Sequence, residues 1–273
     1  MSIFDRMARG NQIVRGSLKV LGANKRLIIF PILSGISLTL IALTLIGILF
    51  AGVSWGSIDT DKVDKVSLYI SLFLCYIINY FVVVFFNMAL MHCTKLYFDG
   101  EEASVMAGLR FSASRIRAIF SWAVFAATVG VILRVLQDNL GWLGKILTGV
   151  LGLVWSVETF FVVPVLAYEH LGPLDSVKRS AQIMKEKWGE GVGATFSFIL
   201  IQFLTLMVIG IVGYGVGYKV NEQAGIILFV LGMLLLLIVV STVKNIFISA
   251  VYADMNNKDT GHFSPELING LFE

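Results

Sequence analysis

Two residues of opposite charge stand inside long apolar runs: Glu158, in the run Trp142–Ala167, and Lys244, in the run Gly225–Ala253. An ionised group deep in a bilayer costs roughly 2.5–3.5 kcal/mol even on insertion scales, so each needs compensation. Each lies nine or ten residues from the polar sequence flanking its run, which sets both about 13–15 Å deep at a helical rise of ~1.5 Å per residue. Opposite charge at matched depth predicts that Glu158 and Lys244 face each other. They would form either a structural ion pair that fixes packing, or the polar centre of a path for a solute, a proton or a lipid headgroup. Asn87 and Asn245 extend this intramembrane polar set. Asn79 and Gln202 read more simply as interhelical hydrogen-bonding glue, worth about 0.6–2 kcal/mol each.

Other chemistry finds little support. His92, His170 and His262, with Glu169 and Asp254, sit near one end of the apolar runs, but no ligand pair has the i,i+4 spacing of a helical metal motif. They are expected to be solvated interface residues, with no metal and no cofactor. Cys75 and Cys93 fall in one run, about 27 Å apart along a helix, too far to pair within it. Val212-Gly-Tyr-Gly215 is similar to a potassium selectivity filter, but such a filter needs its own pore helix and re-entrant loop, and this stretch ends an otherwise sufficient span. Walker, Gly-x-Ser-x-Gly, HExxH and GxGxxG patterns do not occur, so no catalytic residue is assigned and the chain is not expected to be an enzyme.

The elements that must position these residues follow from composition. Of 273 residues, 57% are hydrophobic and 14% charged, with a mean hydropathy of +0.85; soluble domains have an apolar fraction nearer 45–50%. The apolar runs are long and unbroken rather than alternating, which predicts helices and not a barrel. They fall at about 28–53, 67–94, 118–136, 142–167, 192–218 and 225–253, each near or above the ~20 residues needed to cross the hydrocarbon core. The expected fold is an all-α, polytopic, six-span transmembrane bundle over 27–253, between a cytoplasmic amphipathic helix at 1–26 and a cytoplasmic tail at 254–273. The first run reads as a retained span rather than a signal peptide. Span three is expected to be the shortest, and the short connection Gln137–Gly141 predicts a tight antiparallel hairpin of spans three and four.

Basic residues orient the bundle. Six precede span one (Arg6, Arg9, Arg15, Lys19, Lys25, Arg26), and Lys95, Arg110, Arg115, Arg117, Lys178, Arg179, Lys185 and Lys187 fall in the second and fourth loops. The positive-inside rule then places both termini in the cytoplasm and the chain in an inner, cytoplasmic-type membrane. Amphipathic helices precede spans one, three and five. In the first, Ile3, Phe4, Met7, Val14, Leu18 and Leu21 recur at helical spacing, which suits a helix lying in the headgroup region or one packed under the bundle. A basic face of Arg6, Arg9, Arg15, Lys19, Lys178, Arg179, Lys185 and Lys187 is the candidate surface for membrane lipids or a protein partner. Nothing suggests nucleic acid. Gly213 and Gly217, at GxxxG spacing, are expected at a close helix contact, within the bundle or in a homo-oligomer. Ser104-Val105 after Gly100 echoes Ser176-Val177 after Gly172, and Phe160-Phe161 before Pro164 echoes Phe85-Phe86 before Ala89, so the chain reads as repeated units of one amphipathic helix and two spans.

The segment Trp155-Ser-Val-Glu-Thr-Phe-Phe-Val-Val-Pro-Val-Leu-Ala-Tyr-Glu169, with Gly172-Pro173, Ser176-Val-Lys-Arg-Ser180 and Lys187-Trp188-Gly189, resembles the central signature of an uncharacterised family of six-span prokaryotic membrane proteins. The opening Gly16-Ser-Leu-Lys-Val-Leu21 and Phe30-Pro-Ile-Leu-Ser34 is similar to that family's N-terminus. More loosely, the chain resembles the membrane domain joined to some glycerophosphodiester phosphodiesterases. The resemblance implies the architecture and carries no activity. The expected function is a non-enzymatic, lipid- or partner-binding membrane scaffold, with the alternative of a small-solute or lipid transporter or channel built on Glu158 and Lys244.

Overall fold

Lipid offers no hydrogen bonds, so a chain of this composition must satisfy its backbone N–H and C=O groups internally, as a helix does. The computed structural model describes residues 16–52, 65–186 and 188–254. Arg6, Arg9, Arg15, Lys187 and the tail beyond Asp254 therefore lie outside the described residues. Residues 16–23 are helical, and Lys25–Ile28 form one 3-10 turn. The helices that follow are α1 (Ile29–Gly52), α2 (Lys65–Phe98), α3 (Val105–Ser114), α4 (Ile116–Asn139), α5 (Gly141–Glu158), α6 (Val162–Tyr168), α7 (Pro173–Glu186), α8 (Trp188–Lys219) and α9 (Glu222–Asp254).

Among the described residues six stretches are long and apolar enough to cross a membrane: Lys25–Thr44, Tyr69–Phe98, Ile116–Asn139, Gly141–Tyr168, Gln202–Lys219 and Glu222–Ala253. The protein is an all-helical, six-span membrane protein. Helices α2, α4, α8 and α9 outrun their apolar runs, because the hydrogen-bond ladder continues through polar residues at the interface. Helix α2 has 34 residues and extends about 51 Å at ~1.5 Å per residue, well over the ~30 Å hydrocarbon core. Its last turns carry Lys95 paired to Asp99 at 2.6 Å. For the same reason span three is not short: α4 has 24 residues, as many as α1.

The chain divides into two compact units. One comprises Met1–Pro31, Leu90–Val105 and Met184–Glu273; the other comprises Ile32–Ala89 and Met106–Ile183. In the first, α8 and α9 form a hairpin. Asn221 caps α9 by accepting the Ala224 N–H on Oδ1 at 2.7 Å, and Glu222 adds a carboxylate to the first turn, where the helix dipole favours it. The two helices then touch backbone to backbone. A Cβ on Gly225 would lie 2.5 Å from the Gly213 carbonyl oxygen and 2.6 Å from the Gly217 Cα. The Gly213 and Gly217 pair is thus occupied inside the hairpin. The half of α9 around Ile226–Leu237 exposes its apolar side chains, whereas Val243, Ile246, Phe247 and Ala250 are buried, and the 3-10 turn Lys25–Ile28 packs on this helix.

In the second unit α4 and α5 form the hairpin expected from the short connection, with Leu140 alone between them. Gly141 takes the turn at φ +55, and a Cβ on Gly144 would meet the Leu136 carbonyl oxygen at 2.8 Å. The core here is aromatic. Trp122 of α4 and Trp155 of α5 lie parallel at 5.9 Å between ring centroids, with Phe125 tilted against both. Around them pack Val84, Met88, Ile119, Val162, Leu166 and Val177.

The glycine crossing yields a prediction. Gly225→Ala forces a methyl into backbone and is expected to cost about 1–3 kcal/mol by overpacking. Gly215→Ala, where a Cβ meets nothing within 4 Å, is expected to be neutral or stabilising, since Ala outranks Gly in a helix by about 1 kcal/mol. Thermal unfolding in detergent compares them; equal midpoints would refute the assigned contact.

Candidate functional site at the break in span four

Span four, expected to be one helix from Trp142 to Ala167, is broken. Helix α5 ends at Glu158, residues 159–161 turn, and α6 begins at Val162. The cause is Pro164. Lacking an N–H, it cannot donate to the Phe160 carbonyl, and its ring would clash there in a continuous helix. As the third residue of α6 it falls in a first turn, where amides have no helical acceptor in any case. The ladder tightens around the break, with the Phe160 N–H donating to the Val157 carbonyl at 3.3 Å and the Val162 N–H to the Thr159 carbonyl at 3.1 Å. The Phe161 N–H, whose helical acceptor would be Val157, donates instead to Ser180 Oγ of α7 at 2.9 Å. Phe161 is 2% exposed and Ser180 fully buried, so this bond is shielded from solvent.

Helix α7 is pinned to the break by its inward residues. Ser176, Val177, Ser180 and Ile183 are buried at i, i+1, i+4 and i+7, while Leu174, Asp175, Lys178, Gln182 and Lys185 are exposed. Arg179 reaches Glu169 just past α6 with Nε 2.9 and 3.2 Å from the two carboxylate oxygens. Between them His170 adopts φ +55, a left-handed conformation that costs a non-glycine residue about 1–2 kcal/mol. Its imidazole is held by Arg115, whose guanidinium nitrogens lie 2.5 and 2.8 Å from the two ring nitrogens; a neutral ring offers one acceptor to that fork. The Arg115 side chain also lies 5.8 Å from the centroid of Phe111, and Phe111 packs on Tyr168. Helix α3 repeats the pinning, since the buried Ser112 donates from Oγ to the Phe85 carbonyl of α2 at 2.9 Å.

The residues expected to form the intramembrane site fall as follows. Glu158, half-buried, closes α5, the helix end that favours cations over carboxylates. Asn87, half-buried in α2, belongs to the same unit as Glu158. Lys244 and Asn245 belong to the other unit: Lys244 is on the exposed side of α9, and the buried Asn245 donates from Nδ2 to the Ser241 carbonyl at 2.8 Å. Of the basic face, Lys19 and Lys185 are exposed, Lys178 pairs with Asp175 at 3.3 Å, and Arg179 turns inward to Glu169. Of the histidines, His170 is exposed and engaged by Arg115, and His92 is half-buried. Among the described residues no group of His, Cys, Asp and Glu is placed to hold a metal. Sequence reasoning missed Ser112, Ser180 and the Arg115–His170 contact. Pro164 was the available signal for the break, and an amide that a break strands must find its acceptor elsewhere.

Ser180→Ala is expected to lower stability by about 1–3 kcal/mol, the cost of a buried amide left unsatisfied. Ser176→Ala removes a longer bond, 3.4 Å to the Leu171 carbonyl, and is expected to cost less. Denaturant or thermal unfolding in detergent ranks the two, and a larger loss at Ser176 would contradict the role given to Ser180. Comparison with known proteins adds the family. No curated protein and no solved structure matches the chain, and the looser likeness to phosphodiesterase membrane domains finds no support in these comparisons. The model of the Family of unknown function (DUF6159) matches residues 66–263, which takes in α2 to α9 with the break, its serine lock and the glycine hairpin, and the chain belongs to that family.

Proposed function

We propose that this protein is a non-enzymatic membrane scaffold of the inner-membrane type, with both termini in the cytoplasm, that binds anionic lipid or a protein partner through its cytoplasmic helices. The observation that carries this reading is the split of α7. Its inner side is committed to the break by Ser180 and Arg179, which leaves Leu174, Lys178 and Lys185 on the outer side. A docked helix with an apolar and two basic side chains turned outward suits a headgroup layer, where each basic residue contributes about 1 kcal/mol toward anionic lipid. Arg179 is excluded from the binding face, because neutralising it strands Glu169.

The test uses the full chain in nanodiscs of mixed phosphatidylglycerol and phosphatidylcholine. Lys178→Gln with Lys185→Gln is expected to reduce the number of phosphatidylglycerol molecules retained after extraction. Raised salt should act the same way on the unaltered chain, by screening. Retention that responds to neither change would remove the lipid-binding reading.

A second reading rests on the break itself. Discontinuous membrane helices mark substrate and ion sites in many transporters, where the interrupted ladder presents backbone groups to a polar solute, and Glu158 is the last residue before the interruption. On this reading a small solute or lipid passes beside Glu158. Glu158→Cys in sealed vesicles is then expected to react with a membrane-impermeant maleimide from at least one side. Protection from both sides, with the denatured chain labelling normally, would leave the scaffold reading in possession.

A further inference from the structure

The junction of α3 and α4 concentrates positive charge without an acid. From Ala103 to Gln137 the chain holds no Asp or Glu, and neither helix has an acidic residue in its first turn. Arg110, Arg115 and Arg117 all fall here. Among the described residues no carboxylate oxygen lies within 4.0 Å of any of the three, although Lys95, Arg134, Lys178 and Arg179 each have one. Arg115 faces the imidazole of His170 instead. Arg110 and Arg117 are exposed.

The apolar surroundings continue this patch toward the membrane. The apolar stretch of span three begins at Ile116, so Arg117 stands at its start. Phe120 and Ser121, three and four residues on, share its face of α4, and Ile116 and Phe120 are 48% and 55% exposed. An anion at Arg117 therefore has an exposed apolar side chain on either side of it along α4, Ile116 next to it and Phe120 one turn on. A free phosphate uses only the first part of that surface; a phospholipid uses both. Guanidinium groups, rather than lysines, suit the planar two-point contact to a phosphate.

We propose that the α3–α4 junction is a binding site for an anionic phospholipid, its phosphate held by Arg117 and Arg110 beside Arg115 and its acyl chain lying over Ile116 and Phe120. This deepens the lipid-binding reading above and assigns it a specific site, distinct from the outer side of α7.

The full chain, purified in uncharged detergent, is titrated with short-chain phosphatidylglycerol, with phosphatidylcholine and with inorganic phosphate, and bound ligand is read by native mass spectrometry. One phosphatidylglycerol is expected to bind ahead of all others. In Arg110→Gln/Arg117→Gln its affinity is expected to fall roughly 30-fold, at about fivefold per basic residue near a headgroup. Lys178→Gln/Lys185→Gln is expected to spare that first lipid while thinning the later ones. If the arginine double variant keeps the tight lipid and the lysine variant loses it, this site is overturned and the α7 reading survives. If the unaltered chain binds phosphatidylcholine as well as phosphatidylglycerol, both readings fall. If inorganic phosphate competes at the same concentration as the lipid, the apolar half of the site is overturned.

Discussion

The constraint on which this structure depends is that every backbone amide of a membrane span must find an acceptor inside the protein. Pro164 interrupts the ladder of span four, and the Phe161 amide it releases is buried. Water cannot reach it, so a side chain from another element must. Ser180 meets that need at 2.9 Å, and the requirement fixes more than one bond. It sets the height of α7 against the break and its rotation about its own axis. Once Ser180 points inward, Val177 and Ile183 must follow on the same face and Lys178 and Lys185 must face away.

That rotation determines how the charges are used. Arg179, next to Ser180, is carried inward and must meet a carboxylate, which Glu169 supplies with both oxygens. A short link from α6 to α7 is needed for this, and His170 makes it by taking φ +55. A glycine would adopt that conformation at lower cost. The histidine side chain in turn gives Arg115 an acceptor and ties the end of α3 to the end of span four. Each contact follows from the one before, starting from the break at Pro164.

Much of this architecture was legible in the residues. Six spans, the all-helical class and the hairpin at Gln137–Gly141 follow from runs of apolar residues and a short connection, which act locally along the chain. The break is written at Pro164, but a proline in a membrane helix is ordinary, and its consequence depends on whether a neighbour can take the freed amide. That neighbour, Ser180, is 19 residues away and looks like any serine on an amphipathic helix. Arg179 shows the same limit. By spacing it belongs with Lys178, Lys185 and Lys187 on a basic face, yet periodicity cannot register that one member of the face is pulled under by a carboxylate ten residues earlier. Helix ends were likewise misjudged wherever polar residues such as Arg117 and Asp138 continued a ladder beyond its apolar run.

The two units solve close packing in opposite ways, and this bears on where a change of shape can be accommodated. In the α8–α9 hairpin, backbone meets backbone at Gly213, Gly217 and Gly225, with a would-be Cβ only 2.5 Å from a carbonyl oxygen. Such a crossing has no side chains to rearrange, so the helices can slide only by losing the contact. The α4–α5 core is a stack of large rings, Trp122 on Trp155 with Phe125, held by offset contacts that tolerate small shifts. Beside it lies span four, whose helical ladder is interrupted at Thr159–Phe161. Helices bend where the i to i−4 ladder is already broken, and hinges form at the ends of elements. A motion of the second unit would therefore concentrate at the turn after Glu158, with the Ser180 and Arg115 contacts as the bonds it must stretch.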